Sequence, residues 1–190
     1  MTSTADMTPT TDITPTAGTT SPATADTDVH QKTAGWMTVS TPCGPFTAIA
    51  DDAGEVLASG WTDGPDELVG LIHRSLRPET VARSATLTDI ADAVEAYHSG
   101  DLTAPDRIRV VARSGPFIER AWEVLRAVPA GDTVSYTRFA ELSGEPLAIR
   151  GAAAACSRNP TALFVPCHRV LRSDGTLGGF RYGLDVKRWL

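Results

Sequence analysis

The sequence predicts an α+β protein: a small N-terminal antiparallel sheet with helices, followed by a mostly helical C-terminal domain that contains a helix-turn-helix. Short apolar segments that alternate with polar residues occupy positions 36–61, and a period of two is typical of strands. Apolar residues recur at helical spacing from residue 68 onward. Two of the later helical segments are joined by a short turn that contains Gly, which is the layout of a helix-turn-helix.

The first half of the chain is predicted to contain a tail and a small folded domain. Residues 1–34 are rich in Thr, Ala, Asp and Pro and have no apolar period. They cannot bury enough surface to offset the entropy cost of ordering, so we expect a disordered tail. Residues 35–106 are expected to form an N-terminal α/β domain. Its strands meet at a turn over 51–54, and helices are expected over 68–76 and 87–97.

Residues 107–190 are predicted to form a second, mostly helical domain. Pro116 precedes a segment with helical spacing, and Pro is favoured in the first turn of a helix. A short helix then ends at Gly144, and Pro146 is expected to open a second helix that ends near residue 157. This pair is the helix-turn-helix candidate, and a helical hairpin inside a core is the alternative.

Composition limits the classes of protein to which the chain can belong. No apolar run reaches the ~18 residues that suggest a membrane span, and the N-terminus lacks the basic and apolar regions of a signal peptide. We therefore expect a cytoplasmic protein with no membrane partner. Cys43, Cys156 and Cys167 are odd in number and widely spaced, which argues against a disulfide framework. No CxxC or HxxxH pattern is present, so no metal site is expected.

Charge is unevenly distributed along the chain. Residues 107–190 contain 13 Lys and Arg and 7 Asp and Glu, a net +6, whereas residues 1–106 contain 4 and 16, a net −12. A basic half favours a polyanionic partner such as nucleic acid. The alternative is that the arginines lie on solvated helix faces.

A cysteine that follows a proline and precedes a histidine marks the candidate active site. Cys167 is followed by His168 and Arg169 and lies eight residues after Asn159. The thiolate is a strong nucleophile, and a neighbouring His or cation makes it available at neutral pH. The alternative is a buried structural thiol, which is also the interpretation that we give to Cys156.

The second helix of the predicted pair carries many small side chains. Such residues let a helix approach its partner closely, whether that partner is another helix or a DNA groove. A helix with small side chains has few polar groups that could distinguish bases, so it suits binding to DNA of any sequence. The residues concerned are Ala148, Gly151, Ala152 and Ala155, with Arg150 and Arg158 at the two ends.

These residues together resemble the O6-alkylguanine-DNA alkyltransferases, also called methylated-DNA–protein-cysteine methyltransferases. The resemblance covers about residues 115–190, and the motifs follow one another at the family's spacing. Residues 37–106 match the family's N-terminal domain in layout more than in motif. The matching segments are 129–136, Arg150, 158–160, 166–170, 174–175, 183–184, Lys187 and Trp189.

The resemblance implies a DNA-repair enzyme that acts once. Members of the family transfer an alkyl group from O6 of guanine to their own cysteine without a cofactor. We expect this chain to accept O4-alkylthymine as well. Their partner is double-stranded DNA, and the target base is flipped into a pocket because its reactive atom lies inside the duplex. The implied architecture is an RNase H-like N-terminal domain and a winged-helix-like C-terminal domain in a monomer.

The resemblance also implies the roles of individual residues. Cys167 is the acceptor, and His168 withdraws its proton through a water. Asn159 holds the turn that presents the cysteine, and Lys187 favours the thiolate. The Ala-rich helix enters the minor groove, where Arg150 occupies the place that the flipped base leaves.

Four further residues are expected to hold the flipped guanine. Tyr136 donates a hydrogen bond to N3, and Phe180 forms part of the pocket wall. The carbonyl of Val170, with that of the cysteine, accepts from the guanine amine. The backbone N–H near Arg181 donates to O6.

The chain departs from the family at one point. The family's relay continues from the His to a Glu five residues beyond a Trp-Leu pair, whereas the last residue here is Leu190. We therefore expect a C-terminal domain that is truncated, and a His with a weaker pull on the thiol proton. A lesion-binding protein with little or no transfer is the first alternative. A sequence-specific helix-turn-helix regulator and a cysteine hydrolase are the others.

Overall fold

The computed structural model describes residues 32–190. Of the predicted tail, residues 1–34, the first 31 lie outside the described residues. Its last residues belong to the first strand, which begins at Thr33 instead of near Trp36. Residues 32–190 lie within one compact unit.

A four-stranded sheet forms the N-terminal part. The strand order is β3-β2-β1-β4. The β1–β2 and β2–β3 pairs are antiparallel hairpins, as predicted. The second turn contains Gly54 at φ +74°, a conformation that Gly adopts without strain. The strands are β1 (Thr33–Thr41), β2 (Gly44–Asp51), β3 (Val56–Gly60) and β4 (Thr80–Arg83).

The sheet is mixed, and the prediction of a purely antiparallel sheet was wrong. β4 pairs with β1 in the parallel direction, with Thr33 opposite Thr80 and Trp36 opposite Arg83. A parallel pair needs a long connection, and here β2, β3 and residues 61–79, which cross from β3 to the opposite edge of the sheet, lie between β1 and β4. The four residues of β4 are mostly exposed, so the segment has no apolar alternation that would reveal a strand.

Two helices accompany the sheet. The predicted helix over 68–76 is a single turn, α1 (Asp66–Val69), followed by irregular turns. Its apolar side chains Leu68 and Ile72 are nevertheless buried against one face of the sheet. α2 (Thr88–His98) confirms the second prediction and packs on the opposite face.

The C-terminal part is built from helices, as predicted. α3 (Pro116–Arg126) begins at the predicted proline. α4 (Tyr136–Leu142) and α5 (Ile149–Arg158) pack against each other and against α3. The prediction that Pro146 opens α5 was wrong, because residues 145–148 close a separate turn through the bond from Ala148 N–H to the Glu145 carbonyl.

Shorter elements complete the structure. A 3-10 turn spans Ala104–Arg107, and a second, Cys167–Arg169, contains the candidate nucleophile. β5 (Val134–Ser135) and β6 (Val170–Leu171) form a small parallel pair. α6 (Leu184–Trp189) follows. Within residues 32–190, every helix is too short or too polar to cross a bilayer.

The segment before Cys167 is bonded to the end of β3. Ser59 N–H donates to the Pro160 carbonyl at 2.8 Å, and Ala162 N–H donates to the Ser59 carbonyl at 3.2 Å. The Ser59 hydroxyl donates to the Ala162 carbonyl at 2.8 Å. Phe164 continues this contact by packing edge-on against Phe46. The sheet therefore fixes the chain that leads to the thiol.

Gly60 makes room for Tyr182, which yields a testable prediction. A Cβ at this glycine would lie 2.0 Å from Cζ and Oη of the tyrosine, whose hydroxyl donates to the Ser59 carbonyl at 3.1 Å. We expect Gly60→Ala to lower the free energy of unfolding by about 1–3 kcal/mol, the usual cost of overpacking. Denaturant unfolding measures this change.

A double-mutant cycle provides the control. In a Tyr182→Ala background the same Gly60→Ala change should cost little, because the clashing ring is gone. An equal cost in both backgrounds would show that the tyrosine is not the reason for the glycine.

Candidate active site

Cys167 lies at a cavity of about 410 Å³ between α4, α5 and the segment that follows β6. The cysteine itself is buried. Tyr136 comes from the start of α4, where the Ser135 hydroxyl accepts a capping bond from Arg138 N–H at 3.0 Å. The lining residues are Tyr136, Ala153, Cys156, Ser157, Asn159, Ala162, Cys167, Gly179, Phe180, Arg181 and Tyr182.

The side chain of Asn159 positions the cysteine. Its amide nitrogen donates to Cys167 Sγ at 3.2 Å and to the Val165 carbonyl at 2.8 Å. Its oxygen accepts from Thr161 N–H at 3.0 Å. All polar atoms of this buried amide are therefore engaged, and one of its donors is directed at the sulfur.

The loop held by Asn159 contains a strained residue. Leu163 has φ +75°, which is unusual for a residue other than Gly. Its side chain is buried with Phe164 in the core beneath the sheet. Burial and the hydrogen bonds around the loop maintain this conformation, which costs of order 1–3 kcal/mol.

Burial raises the pKa of the Cys167 thiol above its ordinary value. The hydrogen bond from Asn159 opposes this effect, and so do the positive charges of Lys187 and Arg181. Burial disfavours the thiolate, and the donated bond and the cations favour it. The thiol is thus protonated at rest and surrounded by groups that stabilise its charged form.

His168 is buried behind the cysteine. Burial, together with the charges of Arg169 and Lys187, lowers its pKa to about 3, so the ring is neutral at pH 7. Neither ring nitrogen has a hydrogen-bond partner among residues 32–190. The ring lines a second cavity, of about 250 Å³, that also contacts Lys187 and Leu190.

Lys187 is buried and bonded to backbone carbonyls. Its ammonium donates to the Val170 carbonyl at 2.7 Å and to the Gly179 carbonyl at 3.4 Å. Burial lowers its pKa, and the neighbouring thiols Cys167 and Cys156 oppose that shift. The cation therefore ties α6 to β6 and to the segment that borders the cavity.

Aromatic residues form one wall of the cavity. Phe180 and Tyr182 pack edge to face with ring centroids 5.7 Å apart, and both contact Trp61. The Arg181 guanidinium donates to the Ser157 carbonyl at 2.6 Å, which joins this wall to α5. Through Trp61, this wall is in contact with the N-terminal part of the chain.

The structure brings together some of the predicted substrate residues and separates others. Tyr136, Phe180 and Arg181 line the cavity with the cysteine, whereas Val170 does not. Val170 is fully buried, and its carbonyl accepts from Lys187. Tyr136 keeps its proton, since burial raises its pKa.

Two of the predicted DNA-binding residues lie on the side of α5 that faces the protein interior. Ala152 and Ala155 are fully buried against α3, where the Trp122 indole donates to the Ala155 carbonyl at 2.9 Å. Gly151 is half-buried and packs on Phe117, whose ring would lie 2.8 Å from an added Cβ. These small residues serve helix packing, and the prediction that Ala152 and Ala155 contact DNA is corrected.

The outward face of α5 consists of other residues. Arg150, Ala153, Ser157 and Arg158 are exposed, and Ala148 is partly exposed just before the helix begins. Ala153 and Ser157 were missed by the sequence analysis. With small side chains on every side of the helix, the pattern did not distinguish its inner and outer faces.

Two cavity-lining residues were also missed. Cys156 was interpreted only as a small buried thiol, and Tyr182 received no role. Both line the cavity, and burial raises the pKa of each. Their positions follow from tertiary packing, although the adjacent Phe180 was an available signal for Tyr182.

Comparison with solved structures finds the same fold. The chain is similar to Mycobacterium tuberculosis OGT in complex with DNA, with 28% identity and a TM-score of 0.68 over 81% of this chain and 88% of that one. The family model described as 6-O-methylguanine DNA methyltransferase, DNA binding domain, matches residues 116–190.

The fold and site define a class of proteins that enclose a reactive cysteine beside two packed helices, here α4 and α5. The chain is 34% identical over 154 residues to the methylated-DNA–protein-cysteine methyltransferase of Shigella flexneri, covering 80% of this chain and 90% of the relative. It is 32% identical to the protein of the same name from Methanosarcina barkeri, covering 76% and 93%. The chain belongs to the methylated-DNA–protein-cysteine methyltransferase family.

The neutral, buried state of His168 predicts a loss of stability in acid. Its pKa is about 3 when folded and ~6.5 when unfolded, so between these values only the unfolded chain binds the proton. The free energy of unfolding should fall as pH falls below ~6.5, and this histidine should account for about 3 kcal/mol between pH 7 and pH 4. Denaturant unfolding at several pH values measures it.

The variants that isolate this effect are His168→Gln and His73→Gln. The first should flatten the acid slope, and the second should follow the wild type because His73 is exposed. If the free energy of unfolding fell equally with pH in the wild type and in His168→Gln, the acid sensitivity could not be assigned to His168.

Proposed function

We propose that this protein repairs DNA by moving the alkyl group of O6-alkylguanine onto Cys167, once per molecule. The observation that carries the proposal is the enclosed thiol, which accepts a hydrogen bond from Asn159 in a cavity bordered by α5. The relatives named above carry this activity in their names. O4-alkylthymine in DNA is proposed as a second substrate.

The proposed reaction is a single displacement. The sulfur forms a bond to the alkyl carbon as the bond between that carbon and O6 breaks. The electron pair of the broken bond goes to O6 and restores the keto form of guanine, which takes up one proton while the thiol loses one. The product is an S-alkylcysteine, a thioether that the protein has no means to reverse, so each molecule reacts once.

The thiol needs help to lose its proton. Burial keeps Cys167 protonated. His168 is neutral and takes the thiol proton through a water, against the burial and the positive charges that lower its pKa. Lys187 and Arg181 stabilise the negative charge as it forms on sulfur. Asn159 donates to the same sulfur, so stabilisation is present before the substrate arrives.

The cavity holds the base in the proposed complex. The phenol of Tyr136, kept protonated by burial, donates to N3 of the guanine. Phe180 packs against the ring, and the backbone N–H near Arg181 donates to O6. The Cys167 carbonyl accepts from the guanine amine. The Val170 carbonyl, which is outside the lining of the cavity and bonded to Lys187, reaches the amine only if this segment shifts when DNA binds.

DNA contact is assigned to the outward face of α5. Arg150 is exposed at its first turn and fills the place of the flipped base. Arg158 at the other end contacts the backbone. Ala148 and the half-buried Gly151 flank the helix start, and Ala153 lets it approach the minor groove closely.

The finer architecture is also proposed. We infer an RNase H-like N-terminal domain over 35–106 and a winged-helix-like C-terminal domain over 107–190, with the segment after β6 as the wing. The protein acts as a monomer on double-stranded DNA and needs no cofactor, because the cysteine itself accepts the alkyl group.

Alkyl transfer is tested by intact mass after incubation with a duplex that contains O6-methylguanine. The wild type should gain one methylene, located in the peptide that contains Cys167, and Cys167→Ala should gain nothing. Cys156→Ala is the matched control, because this second thiol lines the same cavity but accepts no bond from Asn159. Transfer to Cys156, or none at all, would overturn the proposal.

The role of Asn159 predicts a rate defect that depends on pH. Asn159→Ala removes the donor to sulfur, so transfer at pH 7 should slow about tenfold, the scale of a hydrogen bond to a charged group. The defect should shrink as pH rises, because the thiolate then forms without help. Single-turnover rates from pH 6 to pH 9 measure it.

Thr161→Val is the control for this variant. It removes only the weaker contact of the threonine hydroxyl with the Asn159 oxygen, at 3.3 Å, and leaves the sulfur contact. An Asn159→Ala defect that is equal at every pH would indicate a structural role alone.

A further inference from the structure

Exposed apolar side chains concentrate at the turn between α4 and α5. Among residues 32–190, six large apolar residues are exposed, and three of them lie within positions 142–149. Leu147 is 98% exposed, and Ile149, two residues later, is 43% exposed. Single exposed apolar residues are ordinary, but a group of them marks a contact surface.

The charges around this turn favour a polyanion as the contact. Glu141 is paired with Arg138 at 2.9 Å, and Glu145 is paired with Arg120 at 3.1 Å. Arg150, the next residue after Ile149, has no ion pair within the part of the chain that the structure describes. The acids at the turn are thus neutralised locally, and the arginine is not.

The turn is continuous with the outward face of α5. That face presents small side chains after Arg150, so the helix can lie close to a groove while Leu147 projects beyond its start. The walls of the DNA minor groove are formed by deoxyribose, whose C–H surface accepts apolar side chains. Leu and Ile are among the residues that proteins insert as wedges between base steps in this groove.

We propose that Leu147, supported by Ile149, is an apolar wedge that enters the minor groove of double-stranded DNA beside the flipped nucleotide. This inference rests on the proposed function and adds a positioning residue to it. The wedge unstacks the base step next to Arg150, so contacts in the cavity have to offset less of the free energy that base flipping requires. It acts on DNA geometry and does not touch the reacting atoms.

The test compares one lesion in two DNA forms. Transfer from O6-methylguanine is measured at limiting protein with a duplex and with the same strand alone, for the wild type and Leu147→Ala. Transfer from the duplex should slow about tenfold, and transfer from the single strand should change less than twofold. Ile149→Ala should show a smaller defect of the same kind. Leu102→Ala, an exposed leucine elsewhere, is the control and should match the wild type.

Duplex affinity gives a readout that does not need chemistry. Leu147→Ala should bind an unmodified duplex about tenfold more weakly, with the same dependence on salt, because no phosphate contact is lost. Arg158→Ala, which removes the proposed contact with the DNA backbone, should reduce the salt dependence.

Several outcomes would overturn the wedge. These are an unchanged duplex rate, an equal loss on both DNA forms, a changed salt slope for Leu147→Ala, or a wild-type dimer that this substitution dissociates. Failure of the proposed function is distinct, because the wild type would then transfer nothing from either DNA form while the affinity comparison still reports on Leu147.

Discussion

The side chain of Asn159 is the constraint on which the rest of the site depends. One amide group bonds Thr161, the Val165 carbonyl and the sulfur of Cys167. The loop between these contacts includes a strained leucine and is bonded to β3 through Ser59. The backbone of the N-terminal sheet and the nucleophile are therefore parts of one hydrogen-bonded network.

Burial acts on the site in two opposite ways. It raises the pKa of Cys167 and lowers that of His168, so both are uncharged at rest. In the same dry surroundings, the bond from Asn159 and the charge of Lys187 act on a developing thiolate more strongly than they would in water. The cysteine is therefore an unreactive neutral thiol at rest, and its thiolate is stabilised as the reaction proceeds. This suits a protein that can use its cysteine only once.

The sequence predicted what local patterns and motifs encode. Helices α2 and α3 and the hairpins of the sheet follow from periodicity and turn residues, and the residues around Cys167 follow from the motif that carries the family resemblance. β4 was missed because its pairing with β1 is distant in sequence and its side chains are mostly exposed. The roles of Ala152, Ala155 and Cys156 depend on which side of α5 faces the interior, and a helix of small residues gives no such signal. Tyr182 lines the cavity through tertiary packing.

Helix α5 connects the two ends of the proposed reaction. Arg150 lies in its first turn, and Asn159 is its C-terminal cap, so about 13 Å of helix separates the proposed DNA contact from the residue that holds the thiol. The buried residues Ala152 and Ala155, with the half-buried Gly151, pack the helix against α3. Its buried alanines thus contribute through packing, because they hold in place the helix that joins Arg150 to the residue bonded to the sulfur.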